Sequence, residues 1–378
     1  MGSFLGALST VPATALGSTA ISAALESAGV QGTEIQEVFM GNVLQAGLGQ
    51  APARQAAMGA GIPDTVPCTT INKVCASGMK AIHLAVLSIA SGEADIVVAG
   101  GMENMSQVPH YLNGRQGVKL GNLKAVDGMV HDGLTDVYNQ QHMGVCAELC
   151  AKENKFSRED QDAFAIESYR RSAQAWEEGA FADEIAPVSI PQRKGDPVMM
   201  EEDEEFRNVK LEKIPHLRPV FDREGSVTAA NASTLNDGAS ALVLMAEETA
   251  KERGLQPLAR ILSNADAACE PERFTTAPAK ALPIALARAG KTMEEMDLVE
   301  LNEAFSVVGL ANSKMLGLDA SKVNVHGGAV SLGHPLGSSG SRIVVTLVHA
   351  LARHNKRWGA AGICNGGGGA SAMVIERI

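Results

Sequence analysis

The sequence has few aromatic residues and no excess of positive charge. Aromatic side chains make up 4% of its 378 residues, and the formal net charge is −11. This acidic balance argues against nucleic acid as the main partner, although a local basic patch could still bind phosphate groups. The 39 glycines instead indicate closely packed helices and sheets joined by tight turns.

The sequence also lacks the usual signatures of metal, disulfide and membrane proteins. Its six cysteines are scattered, with no C-x-x-C pair and no neighbouring histidines at zinc-ligand spacing, so neither a zinc site nor a disulfide framework is expected. No apolar run reaches the ~18 residues of a membrane span. The first residues resemble neither a secretory signal nor an Arg-rich transit peptide. Composition therefore predicts a soluble protein of a reducing compartment.

Alternating strand and helix patterns predict an α/β protein. Residues 17–29 have helical periodicity, and residues 37–43 and 94–101 read as strands. Such alternation implies a parallel or mixed sheet with helices on its faces. The chain is longer than one hydrophobic core usually serves, so two or three domains are expected.

A weak internal repeat divides the chain into two related parts. Residues 25–42 match residues 286–303 at one constant offset, and the strand at 98–101 matches residues 363–367 after a small insertion. Between these matches, the Ser-Gly pair at 77–78 corresponds to the pair at 339–340. Three matches in register predict duplicated α/β halves, which would place equivalent loops around a shared central site.

The stretch around Cys75 carries the clearest chemical signal. A β-type run ends here and a helical pattern begins, so Cys75 lies at or just before a helix N-terminus. Unpaired N–H groups and the helix dipole favour an anion there, which predicts a depressed thiol pKa and a nucleophilic role. The alternative is a packed structural cysteine, since free cysteine is among the most buried residue types.

Four further stretches place glycine and polar residues inside apolar surroundings, at 228–238, 302–305, 327–335 and 364–369. Singly, a histidine beside proline or a run of four glycines is more often structural. The repeat, however, would bring Cys75 together with His334 and Cys364 as a Cys/His/Cys constellation.

The segment between the halves has an acidic run at 201–205 followed by basic residues from Arg207 to Arg218. A solvated surface is the default interpretation of such runs. The alternative is that the basic residues bind the phosphates of a cofactor.

These motifs resemble those of the thiolase family, specifically the acetoacetyl-CoA thiolases. The resemblance covers nearly the whole chain and is carried by NKVCASG at 72–78, NEAF at 302–305, GHP at 333–335 and CNGGG at 364–368. The sequence of residues 228–237 is most similar to that of the animal mitochondrial type. The implied fold is α/β, with two duplicated βαβαβαββ-type halves packed as a layered α/β/α/β/α sandwich.

The resemblance also implies domain boundaries. The first half would comprise residues 1–104 plus 236–256, the inserted loop domain residues 105–235, and the second half residues 257–378. The family's opening strand has no counterpart ahead of Gly2, so the first half is expected to lack its first strand and to expose unpaired ladder groups.

Five catalytic roles follow from the resemblance. Cys75 would accept an acetyl group from acetyl-CoA, and His334 would take the thiol proton. Cys364 would be the acid/base that removes the α-proton of a second acetyl-CoA. Asn302 would hold a water that, with His334 Nε2, binds the oxygen of that thioester. The N–H groups of Cys75 and Gly366 would form the other oxyanion hole.

The resemblance further implies coenzyme A and potassium sites and a homotetramer, with no covalent cofactor and no nucleic-acid or membrane partner. The residues for coenzyme A would be Tyr169, Asn208, Val209, Lys210, Lys213, Ser233, His142, Met143 and Phe274. The potassium ligands would be Tyr169 and the carbonyls of Ala229, Ala230, Ala232 and Val330. An excursion at residues 107–132 would join dimers into the tetramer. The implied location is the mitochondrial matrix, with the cytoplasm as the alternative.

The leading functional prediction is reversible condensation of two acetyl-CoA into acetoacetyl-CoA and CoA. A degradative 3-ketoacyl-CoA thiolase is the alternative within the superfamily, and Thr275, where animal relatives often have proline, leaves acceptance of 2-methyl-branched acyl groups open. An inactive CoA- or lipid-binding protein is the alternative of another class. A pure binder would have no use for two thiols and an imidazole.

Overall fold

The computed structural model describes residues 1–115 and 117–378, and its two main sheets confirm the α/β class. The first sheet contains, in spatial order, β1 (Gly2–Ser3), β11 (Asn236–Met245), β4 (Ile96–Asn104), β2 (Glu37–Gly41) and β3 (Cys68–Ile71). The second sheet contains β12 (Ala259–Ala268), β15 (Gly369–Arg377), β14 (Trp358–Asn365) and β13 (Leu298–Leu301).

The described residues also form helices and short hairpins. The helices are α1 (Ala13–Ala28), α2 (Pro52–Gly59), α3 (Ser77–Ser91), α4 (Gly128–Gly133), α5 (Met143–Asn154), α6 (Arg158–Glu177), α7 (Glu205–Asn208), α8 (Glu247–Glu252), α9 (Pro278–Arg288), α10 (Ser306–Leu316), α11 (Ala329–Leu332) and α12 (Leu336–Arg353). The hairpins pair β5 (His110–Leu112) with β6 (Ala125–Asp127), β7 (Thr135–Asp136) with β8 (Gln141–His142), and β9 (Val188–Ile190) with β10 (Val198–Met200).

The predicted five-layer sandwich is confirmed. Helices α3 and α12 lie between the two sheets, because α12 packs on β4 and β11 of the first sheet and on β13 and β14 of the second. Helices α1 and α2 cover the outer face of the first sheet, and α9 covers the outer face of the second.

The two sheets repeat one topology, as the internal repeat predicts. In the first sheet β11 is antiparallel to β4, and β4 is parallel to β2. In the second, β15 is antiparallel to β14, and β14 is parallel to β13. The sequence repeat therefore corresponds to two structurally equivalent halves.

The halves differ at one sheet edge. Strand β12 runs antiparallel along the whole of β15, whereas β1 pairs with β11 only at Asn236 and Asp237. Beyond that pairing, no strand of the described residues continues this edge of β11. A cavity of about 1160 Å³ lies beside it, lined by Gly238–Met245, α1 and α12.

Local sequence signals account for several helix ends. Helix α6 begins at a capping box, in which the Ser157 hydroxyl accepts from Asp160 N–H and the Asp160 carboxylate accepts from Ser157 N–H. Helix α1 ends at Gly29, whose φ of +65° is the left-handed cap that glycine adopts without strain. The window Val74–Ser91 is long and apolar enough to cross a membrane by composition alone, but α3 buries one face against its neighbours, as a core helix does.

Glycine lets the central layer approach the first sheet closely. A Cβ at Gly101 of β4 would overlap the carbonyl group of Gly337 in the first turn of α12. The carbonyl is a backbone group and a Cβ has a fixed position on its own backbone, so neither can rotate away. The backbone contact between β4 and α12 therefore requires glycine at position 101.

We expect Gly101→Ala to destabilise the protein by about 1–3 kcal/mol or more, the range for overpacking in a close-packed core. The matched control is Gly114→Ala, because a Cβ there would meet no atom of residues 1–115 or 117–378 within 4 Å. Thermal unfolding midpoints measured by calorimetry compare the two variants. Equal midpoints would contradict the proposed tight contact.

Candidate active site

The amino-terminal turns of α3 and α12 meet in the central layer through two glycines. A Cβ on Gly78 would lie 2.6 Å from Ser341 Oγ, and a Cβ on Gly340 would lie 2.5 Å from Met79 N. The contacts are reciprocal, since each glycine meets the residue that follows its equivalent in the other half. The loops that precede these two helices are therefore brought together.

Cys75 lies on the first of these loops, two residues before α3 begins at Ser77. The Ser77 hydroxyl accepts from Lys73 N–H at 2.8 Å and donates to the Val74 carbonyl at 2.6 Å, which fixes the loop. Cys75 is buried, and the Gly366 N–H is aimed at its sulfur. The predicted position before a helix N-terminus is confirmed.

The expectation of a depressed thiol pKa is wrong for Cys75. Burial raises the pKa to about 11, and the Gly366 N–H opposes this only in part. Removing a thiolate from water thus outweighs the helix N-terminus, which acts only over the first turn. The thiol is neutral in the protein without substrate and needs a base.

His334, on the loop before α12, is the candidate for that base. Its Nδ1 lies 2.6 Å from Ser339 Oγ, and the Ser339 hydroxyl donates to the Pro335 carbonyl at 2.9 Å. The hydrogen-bond network therefore assigns the imidazole proton to Nδ1. The Nε2 atom is buried without a partner among the described residues, so its lone pair is free to accept a proton.

The electrostatic surroundings keep His334 neutral. Burial lowers its pKa to about 3, and the positive charge of Arg342 acts in the same direction. The backbone N–H of His334 donates to Asn236 Oδ1 at 2.9 Å, which fixes the loop from the side of β11.

Cys364 places a second thiol in the same region. It lies on β14 with no exposed surface, and burial raises its pKa well above the usual value. A negative charge on Cys75 would raise the pKa of Cys364 further, so the two sulfurs are close enough to interact. Cys364 packs in one buried cluster with Met143 and Phe274.

The glycine run after Cys364 leaves backbone donors uncovered. Gly367 and Gly368 have φ values of +83° and +87°, which L side chains rarely adopt, and a Cβ on Gly368 would also overlap the Cys269 carbonyl. Because the turn carries no side chains, the Gly366 N–H can face Cys75.

Asn302 presents an amide without protein partners. It directly follows β13, and its backbone N–H donates to the Gly362 carbonyl at 2.9 Å. Its side-chain oxygen and nitrogen are both buried, and neither has a hydrogen-bond partner among the described residues. Buried amides are normally paired, so this one indicates a place for a water or a substrate oxygen.

The residues expected at coenzyme A fall into two groups. Near the thiols, His142 caps α5 and stacks on Phe221 at 4.7 Å, and Ser233 Oγ donates to the Ala304 carbonyl at 2.8 Å. Met143 and Phe274 share the Cys364 cluster, as described above.

The second group lies in and after α7, together with Tyr169 of α6. Asn208 Nδ2 donates to Ser3 Oγ at 3.0 Å, and Val209 packs partly buried with Tyr169. Lys210 and Lys213 are exposed, and neither forms an ion pair with another described residue. Their ammonium groups are open to solvent.

The residues expected at potassium are partly clustered. Tyr169, Ala230 and Val330 belong to one buried cluster, while Ala232 packs in the neighbouring cluster with Cys364 and Ala229 is exposed. The carbonyls of Ala229 and Ala230 accept no hydrogen bond from the backbone of the described residues. Unpaired carbonyl oxygens are hard ligands of the kind that alkali and alkaline-earth cations take.

Sequence reasoning missed residues that hold the loops of the candidate site. Glu103 accepts from the N–H groups of Val43, Leu44 and Gly337 at 2.9–3.1 Å and fixes the first turn of α12. Burial raises its pKa to about 7. Its position at the end of the apolar strand β4 was the available signal.

Glu303 fixes the backbone next to the predicted potassium residues. Its carboxylate accepts from Ser168 Oγ and Asn324 Nδ2 at 2.7 Å and from Val330 N–H at 3.2 Å. The motif at 302–305 contains Glu303, but its partners are 21 to 135 residues away in the chain.

Comparison with known proteins agrees over the whole chain. The family models described as "Thiolase, N-terminal domain" and "Thiolase, C-terminal domain" match residues 1–248 and 255–377. The mitochondrial acetyl-CoA acetyltransferase of Bos taurus is 57% identical over 379 residues, which span 100% of this chain and 89% of that protein. The human mitochondrial enzyme is 55% identical, with coverage of 100% and 88%.

More distant relatives agree as well. The acetyl-CoA acetyltransferase of Schizosaccharomyces pombe is 54% identical over 380 residues, with coverage of 100% and 96%. The crystal structure of the Acat5 thiolase from Ascaris suum in complex with coenzyme A superposes with a TM-score of 0.95 at 48% identity, covering 100% of this chain and 97% of that one.

The duplicated halves, the paired thiols and these matches show that the chain belongs to the thiolase family. Within the family it is an acyltransferase of the acetyl-CoA C-acetyltransferase type, the group to which the bovine, human and yeast relatives belong.

The raised pKa of Cys75 predicts how the thiol reacts without substrate. Iodoacetamide attacks the thiolate, so the alkylation rate at Cys75 is expected to rise about tenfold per pH unit from pH 7 to 10, below the pKa of about 11. Peptide mapping by mass spectrometry measures the rate, with N-acetylcysteine as the reference thiol. A rate that levels off below pH 8 would contradict the raised pKa.

Proposed function

We propose that this chain condenses two acetyl-CoA molecules into acetoacetyl-CoA and CoA, and catalyses the reverse thiolysis, through an acetyl group carried on Cys75. The grouping of two thiols and an imidazole carries this proposal. The buried neutral thiol of Cys75 faces the Gly366 N–H and lies near the buried thiol of Cys364. His334, which is neutral and has an unpaired Nε2 among the described residues, precedes α12.

The first step is acetylation of Cys75. His334 Nε2 takes the thiol proton as Cys75 Sγ attacks the carbonyl carbon of acetyl-CoA. The N–H groups of Cys75 and Gly366 stabilise the oxyanion, and such donors are worth about 3–4 kcal/mol each in acyl transfer. The CoA thiolate leaves, takes the proton of Cys364 and departs as the thiol, which leaves Cys364 as a thiolate.

The second step forms the carbon–carbon bond. The Cys364 thiolate removes the α-proton of a second acetyl-CoA, and the enolate carbon attacks the acetyl group on Cys75. The protonated Nε2 of His334 and a water held by Asn302 stabilise the enolate oxygen. Cys75 leaves as a thiolate and recovers its proton from His334, so all three groups return to their starting protonation states.

Coenzyme A would lie across both groups of candidate residues. Lys210 and Lys213, free of ion pairs with the described residues, would meet the nucleotide phosphates. Asn208, Val209 and Tyr169 would contact the nucleotide end. His142, Met143, Ser233 and Phe274 would contact pantetheine and the acyl group, which is supported by their packing around Cys364 and the 302–305 motif.

A potassium ion is proposed at Tyr169 and the carbonyls of Ala229, Ala230, Ala232 and Val330. When bound, the ion would supply fixed positive charge that orders the loop carrying Ser233. The unpaired carbonyls of Ala229 and Ala230 support this assignment.

If the site binds potassium, KCl should raise the thermal unfolding midpoint above that in NaCl at equal ionic strength. The linkage gain is about 2.7 kcal/mol at a hundredfold excess over the dissociation constant. Tyr169→Phe removes one ligand oxygen and should reduce the difference between the two salts. Identical midpoints in KCl and NaCl for the wild type would exclude the site.

We also propose a homotetramer in the mitochondrial matrix. The segment predicted as an excursion, 107–132, contains the β5–β6 hairpin and most of α4, and its residue 116 lies outside the described residues. This segment exposes Leu112, Leu120 and Leu123, and apolar side chains exposed together favour an interface. Light scattering measures the mass of the assembly and so tests the tetramer.

The proposed location in the mitochondrial matrix is supported by the bovine and human relatives, which are named as mitochondrial enzymes.

The decisive experiment follows the loss of acetoacetyl-CoA absorbance when CoA is added. The wild type should be active, and Cys75→Ala should lose activity by about 10³-fold or more, because covalent catalysis is abolished. Cys68→Ala, at a half-buried cysteine of β3, is the control and should stay active.

Two outcomes would contradict the proposal. Activity that persists in Cys75→Ala would remove the nucleophile. Faster thiolysis of a C10 ketoacyl-CoA than of acetoacetyl-CoA would indicate the degradative thiolase instead.

A further inference from the structure

Lys73 connects the Cys75 loop to the opposite half of the molecule. Its Nζ lies 2.5 Å from Asp266 Oδ1, 2.8 Å from Ser371 Oγ and 3.1 Å from the Ala370 carbonyl. The Ser371 hydroxyl also donates to Asp266 at 2.6 Å. The ammonium group thus has three acceptors, and all of them belong to the second sheet.

These acceptors lie beside the second thiol. Ala370 and Ser371 are on β15, and Asp266 is on β12. Ala370 is the register partner of Cys364 across the β14–β15 ladder. Lys73 therefore binds the backbone directly opposite Cys364.

The loop between Lys73 and Cys75 is too constrained to absorb a displacement. Val74 has a φ of +47°, a genuine outlier for a β-branched residue. Its N–H donates to Asn72 Oδ1 at 3.0 Å, and its carbonyl accepts from Ser77. A shift of Lys73 would consequently be passed to Cys75.

We infer that Lys73 is a positioning residue that fixes the distance between the sulfurs of Cys75 and Cys364. The inference rests on the proposed function, in which condensation needs both sulfurs on one substrate pair. In the proposed acetylation, Cys364 gives its proton to CoA only after the thiolate has left, whereas in condensation the Cys364 thiolate must reach the α-proton of the substrate. Loss of Lys73 should therefore slow condensation more than acetylation.

Lys80 provides a matched control. Its side chain ends in the same ammonium group as that of Lys73. Its Nζ lies 2.8 Å from Asp266 Oδ2, so the two lysines bind the same carboxylate. It lies within α3, however, and forms no hydrogen bond to β15 within the described part of the chain. Removing Lys80 should leave the Cys75 loop in place.

The test compares Lys73→Met and Lys80→Met in the full-length protein. Rapid quench with radiolabelled acetyl-CoA and peptide mapping measures acetylation of Cys75, and steady-state assays measure condensation. For Lys73→Met, we expect acetylation within about threefold of wild type and kcat for condensation lower by about tenfold to a hundredfold, the effect of an ångström-scale misplacement. For Lys80→Met, both rates should stay within about threefold.

A second variant covers the case in which Lys73→Met does not fold. Lys73→Arg keeps the charge but has a longer, planar head group, so it should show the same selective loss of condensation with a near-normal unfolding midpoint.

Equal losses in the Lys73 and Lys80 variants, or equal losses of both steps in the Lys73 variants, would overturn the inference while leaving the proposed function intact. Absence of acetyl-Cys75 in the wild type would instead overturn the proposed function, and the inference with it.

Discussion

The candidate site depends on the close contact between the amino-terminal ends of α3 and α12. Gly78 and Gly340 let the two turns approach more closely than any side chain would allow. Cys75 and His334 precede these turns, so backbone packing determines how near the proposed nucleophile and the proposed base lie. The sheets on either side keep water out of the same region.

Exclusion of water then determines the protonation states. It raises the pKa of Cys75 and lowers that of His334, so both groups are neutral before substrate binds. An ion pair in the empty site would require two charges to be desolvated, which is costly even when they attract each other. In the proposed mechanism the substrate would supply the missing compensation, because its carbonyl oxygen would take up negative charge beside the N–H groups of Cys75 and Gly366.

Much of this arrangement could be predicted from the sequence. The helix of α1 followed from the apolar period of residues 17–29, and the duplicated halves followed from matches at constant offset. The position of Cys75 before a helix followed from the change of period at residues 69–80.

What could not be predicted required knowledge of burial and of distant partners. The sign of the Cys75 pKa shift depends on how completely the second half covers the thiol, which no local pattern reveals. Glu103 reads as a polar residue at a strand end, yet its partner Gly337 is 234 residues away. Lys73 belongs to a recognisable motif, but its partner Asp266 lies 193 residues further along the chain.

The duplicated frame has one further consequence. The proposed nucleophile comes from the first half, whereas the imidazole and the second thiol come from the second half, so the two halves share a fold but have different proposed roles. A substitution that is tolerated at a position in one half therefore says little about the effect of a substitution at the equivalent position in the other half. Neither half could replace the other in the proposed reaction. The two halves must therefore have diverged to complementary roles in one active site.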